Sequence, residues 1–157
     1  MPNWGYLLNN FAYNVSLALW IGGAVALGAL AAPQLFRTLP RPQAGATFGP
    51  MLRKFARIRL VTLVIAIAAA AVKHFLWEDG RSTAWIALRW VALGVMAASI
   101  LYEVGYLERA LEARRVHLTA DMPESDPHRR AFNTLHRRAE GLMKVSIGAA
   151  VVALLLS

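Results

Sequence analysis

An all-α integral membrane bundle of four helices is the fold class this sequence predicts, with a cytoplasmic helical hairpin extending spans three and four. Three observations carry that expectation. The 157 residues are 57% hydrophobic and 17% charged, with a mean hydropathy of +0.43, too apolar for a disordered chain and unusual for a small soluble one. Long apolar runs alternate with polar segments. The formal charge is nevertheless +8, from 17 Lys and Arg against 9 Asp and Glu, so the cations crowd into the stretches between the runs. A chain of this length makes about one domain. It has no cysteine, which excludes disulfides, thiolate metal sites and cysteine nucleophiles.

The first span is expected over 7–32, because no charged residue occurs from Met1 to Phe36 and about 20 apolar residues suffice to cross the hydrocarbon. A cleaved leader needs a basic start and a short apolar core. Met1 to Asn10 carries neither Lys nor Arg and the apolar run is too long, so the segment is expected to stay. Pro33 is expected to kink or end that helix, and Gly49-Pro50 to bend the one leading into span two. Span two is placed at 58–77, with Lys73 and His74 near enough to its end to reach the headgroups. Span three follows at 84–106, and span four, at 141–157, is at the short limit for crossing. Trp4, Trp77 and Trp85 fall at the outer ends of their spans, as an aromatic belt does; Trp20 falls near mid-membrane.

The segments 33–57 and 107–140 are assigned to the cytoplasm. Asp126-Pro127 is a good helix start, an acidic cap before a proline that the first turn tolerates, and Phe132, Leu135, Ala139 and Leu142 then recur at helical spacing. Tyr106, Leu107, Ala110 and Leu111 make a matching stripe, so the two helices are expected to stand out of the bilayer as a hairpin turning at 119–125. The two inner segments, with Arg59 at the start of span two, hold 13 Lys and Arg and the outer turn only Arg81. The positive-inside rule then puts both termini outside, in a bacterial plasma (inner) membrane. Topology and anionic lipid account for the pI of about 10.8, with no need for a nucleic-acid partner.

Small residues at Gly22, Gly23, Ala24, Gly28 and Ala32 predict close packing of span one through the ridge Ala24, Gly28, Ala32, which Gly141, Ala149 and Ala153 partly match on span four. Ionisable residues inside a span are functional candidates by default. Lys73 and Arg89 reach similar depth in the outer leaflet, and with Asn10, Asn14 and His74 they form a candidate ligand-binding patch for an anionic headgroup, a quinone-like carbonyl or a small anion. Snorkelling of both cations to lipid phosphate is the competing use. Glu103 and Lys144 come to one depth from opposite directions and are expected to form an ion pair, with Arg59 competing for the same carboxylate; a proton relay is the sharper reading of Glu103.

No metal site or cofactor is expected. His128 and His136 are eight residues apart with no second histidine at i+3 or i+4 of either, and within the spans only His74 and Met96 could serve. No nucleophilic triad, phosphate loop or dinucleotide fingerprint occurs, so the residues point away from an enzyme.

Leu19-Trp20-Ile21-Gly22-Gly23, Ala32-Pro33-Gln34-Leu35-Phe36-Arg37, Gln43-Ala44-Gly45 and Phe132-Asn133-Thr134-Leu135-His136-Arg137 resemble the bacterial relatives of transmembrane protein 205, small four-span proteins catalogued as a domain of unknown function. The likeness spans nearly the whole chain and implies fold and membrane location, with no reaction attached. The W-x-G-G element followed by a proline and an aromatic is more distantly similar to the copper-resistance protein D group and to four-span haem proteins. Those place a histidine in the first span, and none stands there in this sequence. The functional expectation is therefore a non-catalytic protein that binds membrane lipid, a hydrophobic small molecule, a second copy or a membrane protein partner, the basic hairpin with Phe132 and Leu135 being its docking element. A copper- or haem-related carrier is the alternative.

Overall fold

With no charge before Arg37 to be kept in water, the N-terminal segment forms a single helix, α1, that begins where the Asn3 side chain accepts the Tyr6 N–H. In the computed structural model, which describes residues 3–78, 83–115, 122–123 and 125–157, α1 is α-helical over Trp4–Val25, widens to a π-helix over Ala26–Ala31 and is α-helical again over Ala32–Thr38. Pro33 therefore does not end the helix. Proline has no N–H to give to the carbonyl four residues back, and the chain absorbs that deficit just upstream, where the Ala32 N–H bonds Leu27 O, five residues back. The break comes at Leu39, which is extended ahead of Pro40.

Helix α2 is continuous over Arg41–Leu76 with Pro50 inside it, so what the sequence suggests as a basic segment leading into a span is nearly the first half of one helix. At 36 residues it is about 54 Å long, well beyond the roughly 30 Å of hydrocarbon. Helix α3 starts where Thr83 Oγ1 accepts the Ile86 N–H and runs through Ala84–Tyr102, a π-helical stretch Glu103–Leu107, and Glu108–Arg115. Helix α4 covers Pro127–Leu155, capped by Asp126, whose Oδ1 accepts the His128 N–H at 2.7 Å. The Asp126-Pro127 start is thus where the sequence places it. Most of the turn 119–125 lies outside the described residues, as do Asp79 and Arg81 of the outer connection and His117.

The described residues are all-α. Three helical stretches, Trp4–Thr38, Arg41–Leu76 and Ala84–Arg114, are long and apolar enough to cross a membrane. Helix α4 is apolar only from Gly141 onward, about 22 Å of helix, yet its Ser146, Ala150 and Ala153 are buried in the same core as the three long helices. Helix α1 packs on α2 and α4, and α3 on α4, with lighter contact between α2 and α3.

Large apolar side chains such as Leu8, Phe11, Val61, Val64, Val91 and Leu101 face outward, while the core is rich in alanine: Ala56, Ala66, Ala69 and Ala70 of α2, Ala92 of α3, Ala150 and Ala153 of α4. This is the distribution expected when lipid surrounds a bundle, since small residues let helices approach and large ones lose nothing by facing acyl chains. On α1 only part of the anticipated ridge takes part. Ala24 is buried and a Cβ on Gly23 would lie 2.2 Å from the Phe55 ring, whereas a Cβ on Gly22 or Gly28 would meet nothing within 4 Å; Ala32 is half-buried. The π-helical stretch turns Gly28 away from α2.

Candidate functional site

Two polar centres sit inside the bundle, one toward each end. At the end where α2 closes and α3 opens, Arg89 is 2% exposed. Its fork grips Glu78 with Nη1 to Oε1 at 2.8 Å and Nη2 to Oε2 at 2.6 Å, the bidentate geometry in which guanidinium and carboxylate bind best. The Arg89 hydrogen bonds hold the Glu78 carboxyl below the usual carboxylate range. His74, one turn before Glu78, has Nδ1 at 3.4 Å from Glu78 Oε2 and its ring edge-on to Trp90. Lys73 points elsewhere, its Nζ 5.6 Å from the Tyr6 ring centroid, and Tyr6 meets Trp77 edge to face.

Of the five residues nominated for this patch, His74 and Arg89 thus meet through Glu78, which the sequence offers only as one of two acids in a turn. Lys73 is relieved by an aromatic face. The two cations do not repel, because a carboxylate and a ring separate their roles. Asn10 and Asn14 stand one turn apart on α1 and flank Tyr13, which lies within electrostatic reach of Arg89 and Glu78. Tyr13 itself donates to Ala153 O at 2.9 Å, tying α1 to α4. Three buried polar atoms here meet no partner among the described residues, Asn10 Oδ1, Asn14 Oδ1 and Arg89 Nε, while His74 Nδ1 has Glu78 Oε2 at 3.4 Å.

The second centre is built from all four helices. Arg59 of α2 is 1% exposed and pairs through Nη2 with Glu103 Oε1 of α3. Its guanidinium lies 5.3 Å from the Trp20 ring centroid and 5.1 Å from that of Phe55, and Nη1 reaches Met143 Sδ of α4 at 3.8 Å. Trp20 Nε1 donates to Ser146 Oγ at 2.9 Å, which explains an indole at mid-bundle: its one polar atom is met. The expected pair of Glu103 with Lys144 is replaced by Glu103 with Arg59, since Lys144 is exposed on the outer face of α4. Arg59 was available to sequence reasoning through spacing, for Phe55, Ala56, Arg59, Thr62, Leu63 and Ala66 form the buried stripe of α2 and a residue inside such a stripe points inward. Both π-helical stretches flank this level, and Glu103 opens the one in α3.

On α4, His136 pairs with Glu140 at 3.2 Å and Phe132 stacks on His136, so these residues form an exposed ladder. Met96 is fully buried among apolar neighbours. Chemically, the Glu78–Arg89 centre, the outer one in the expected topology, offers hydrogen-bond acceptors and one N–H around a neutralised arginine. The Arg59–Glu103 centre, the inner one in that topology, is an ion pair roofed by two aromatic rings, with Arg59 Nε left without a partner among the described residues.

A chain with three helices long and apolar enough to cross a membrane and large apolar side chains on the outside of its bundle belongs to the class of small helical membrane proteins. Residues 15–117 match a domain of unknown function (DUF4149), and the chain is a member of that family. No curated protein and no solved structure matches it; nothing in these comparisons ties it to transmembrane protein 205 or to copper-resistance protein D.

Proposed function

We propose that the chain is a non-catalytic four-span protein of the bacterial plasma membrane, with both termini outside, that binds an uncharged polar amphiphile or hydrophobic small molecule at its outer polar centre. The observation that carries this is the set of three unmet buried atoms near Tyr13 and Arg89, Asn10 Oδ1, Asn14 Oδ1 and Arg89 Nε. Each such atom costs about 1–3 kcal/mol. Because Glu78 already neutralises Arg89, the set comprises two amide oxygens and one N–H, which suits hydroxyl, amide or carbonyl groups better than a bare anion. The fourth span is supported by the burial of Ser146, Ala150 and Ala153, by the Tyr13 to Ala153 hydrogen bond and by the likeness to the transmembrane protein 205 relatives. The orientation rests on the 12 Lys and Arg of segments 33–57 and 107–140.

The experiment is mass spectrometry of amphiphiles that co-purify with the full chain in a mild detergent. A bound species is expected in the wild type and lost in Asn10→Leu/Asn14→Leu; identical extracts from the two would sink the proposal. An absorbance scan of the same preparation tests the carrier alternative, which requires a Soret band or stoichiometric copper.

A further inference from the structure

We infer that the cleft between the basic ends of α3 and α4 is a binding site for the phosphates of an anionic lipid headgroup. The cleft holds about 670 Å³, the size of a small-ligand site. It exists because Ala110, Ala113 and Ala131 line it, leaving a gap where larger side chains would close the hairpin. The two helices are antiparallel, so Arg138 stands beside Tyr106 at the membrane end and Arg114 lies toward the far end, where His128 adds an imidazole. Eight residues separate Tyr106 from Arg114, about 12 Å of helix. The two guanidinium groups therefore bracket the cleft instead of meeting at one point, a spacing that suits a headgroup with more than one phosphate.

Charge segregation makes this more than a solvated basic face. Every described carboxylate on the two helices is engaged or turned elsewhere: Glu103 toward Arg59, Glu112 toward Arg53 at 3.6 Å, Glu140 toward His136, Asp126 on its own helix cap. Glu108 faces Glu103 and the arginines of α2. Among the described residues no carboxylate lines the cleft, and neither Arg114 nor Arg138 has an ion-pair partner. Tyr106 stacks on Tyr102 at the rim, and both are partly exposed. Aromatic pairs of this kind sit at headgroup depth, and basic pockets between helices at that depth take anionic headgroups. The site is at the opposite end of the bundle from Asn10 and Asn14 and stands whether or not those residues bind anything.

The test uses the full chain in a neutral detergent and reads the thermal midpoint with added diphosphatidylglycerol, phosphatidylcholine or inorganic phosphate. Diphosphatidylglycerol should raise the midpoint and phosphatidylcholine should not. The rise should shrink at least about threefold in Arg114→Gln/Arg138→Gln and in Ala131→Leu, which fills the cleft and leaves the charges, because a ligand stabilises only in proportion to its binding. It should persist in Arg37→Gln/Arg41→Gln, which removes equal charge elsewhere, and in Asn10→Leu/Asn14→Leu. If inorganic phosphate alone gives the full rise with the same dependence on variants, the site stands and its source of phosphate is soluble. A rise that is equal in all variants, or no rise with either anion, overturns the proposal.

Discussion

Glu103→Gln isolates the charge at the inner centre. The substitution keeps size and shape but leaves Arg59, 1% exposed, facing only the rings of Trp20 and Phe55, Met143 and a neutral amide. Breaking a buried pair from one side costs about 3–5 kcal/mol. Two features reduce that here: the cation–π contacts stay, worth about 1 kcal/mol or more each when desolvated, and the Glu103 side chain is 14% exposed, so water reaches one edge of the pair. The expected loss is about 2–3 kcal/mol, or roughly 5–10 °C in the thermal midpoint for a chain of this size. Arg59→Met should cost somewhat less, because the remaining carboxylate has that solvent edge. The double variant should lie close to the worse single one, giving a coupling of about 2 kcal/mol in a double-mutant cycle. Reversible unfolding of the full chain in detergent is the assay. Additivity within about 0.5 kcal/mol would refute the pair, and the same cycle with Lys144→Met should show that additivity.

Gly23→Ala should destabilise the bundle by about 1–3 kcal/mol, because its Cβ would fall inside the Phe55 ring, and Phe55→Leu should restore much of the loss; Gly28→Leu should cost little, and equal midpoints for the Gly23 and Gly28 variants would show that α1 and α2 are not in this contact. Glu78 ionises in the folded chain below its ordinary value of 4.5, so its contribution is complete above about pH 4.5 and is lost as pH falls through the lowered folded value. The difference in thermal midpoint between wild type and Glu78→Gln should therefore narrow below pH 4.5, and a constant difference down to pH 3 would refute the linkage. A topology reporter fused after Ser157 should be active outside the cytoplasm and one inserted at Ser125 active inside; the reverse would overturn the proposed orientation.

Depth along each helix was legible from residue order, while direction around it was harder to obtain. Charge-free length alone located α1, and the Asp126-Pro127 pair located the start of α4. Glu103 was recognised as needing a cation at its own level, but both Arg59 and Lys144 satisfied that requirement, and only the inward stripe of α2 distinguishes them. Gly28 was taken for a packing residue on straight α-helical spacing, which the π-helical stretch invalidates from Ala26 onward. Local propensity predicts a kink or an end at Pro33 and a bend at Gly49-Pro50, and both prolines stand inside continuous helical segments. Packing across the hairpin outweighs that penalty, with Ala44 and Phe55 buried on either side of Pro50. Glu78 is legible only as one of two acids in the turn able to relieve Lys73 and Arg89, since residue order does not say which acid the Arg89 fork meets on the next helix.

The π-helical stretches also govern which changes of length the chain can absorb. Each holds about one residue more than an α-turn of equal rise would need, so removing a single residue from Ala26–Ala31 or from Glu103–Leu107 lets the segment revert to α-helix while the flanking faces keep their phase. An equivalent deletion at Leu17 or Ala92, where no spare residue exists, would rotate everything beyond it by about 100° and turn the core outward. Natural and engineered deletions in these two helices should thus concentrate at the two wide turns, and a chain shortened there would retain its bundle with straighter helices.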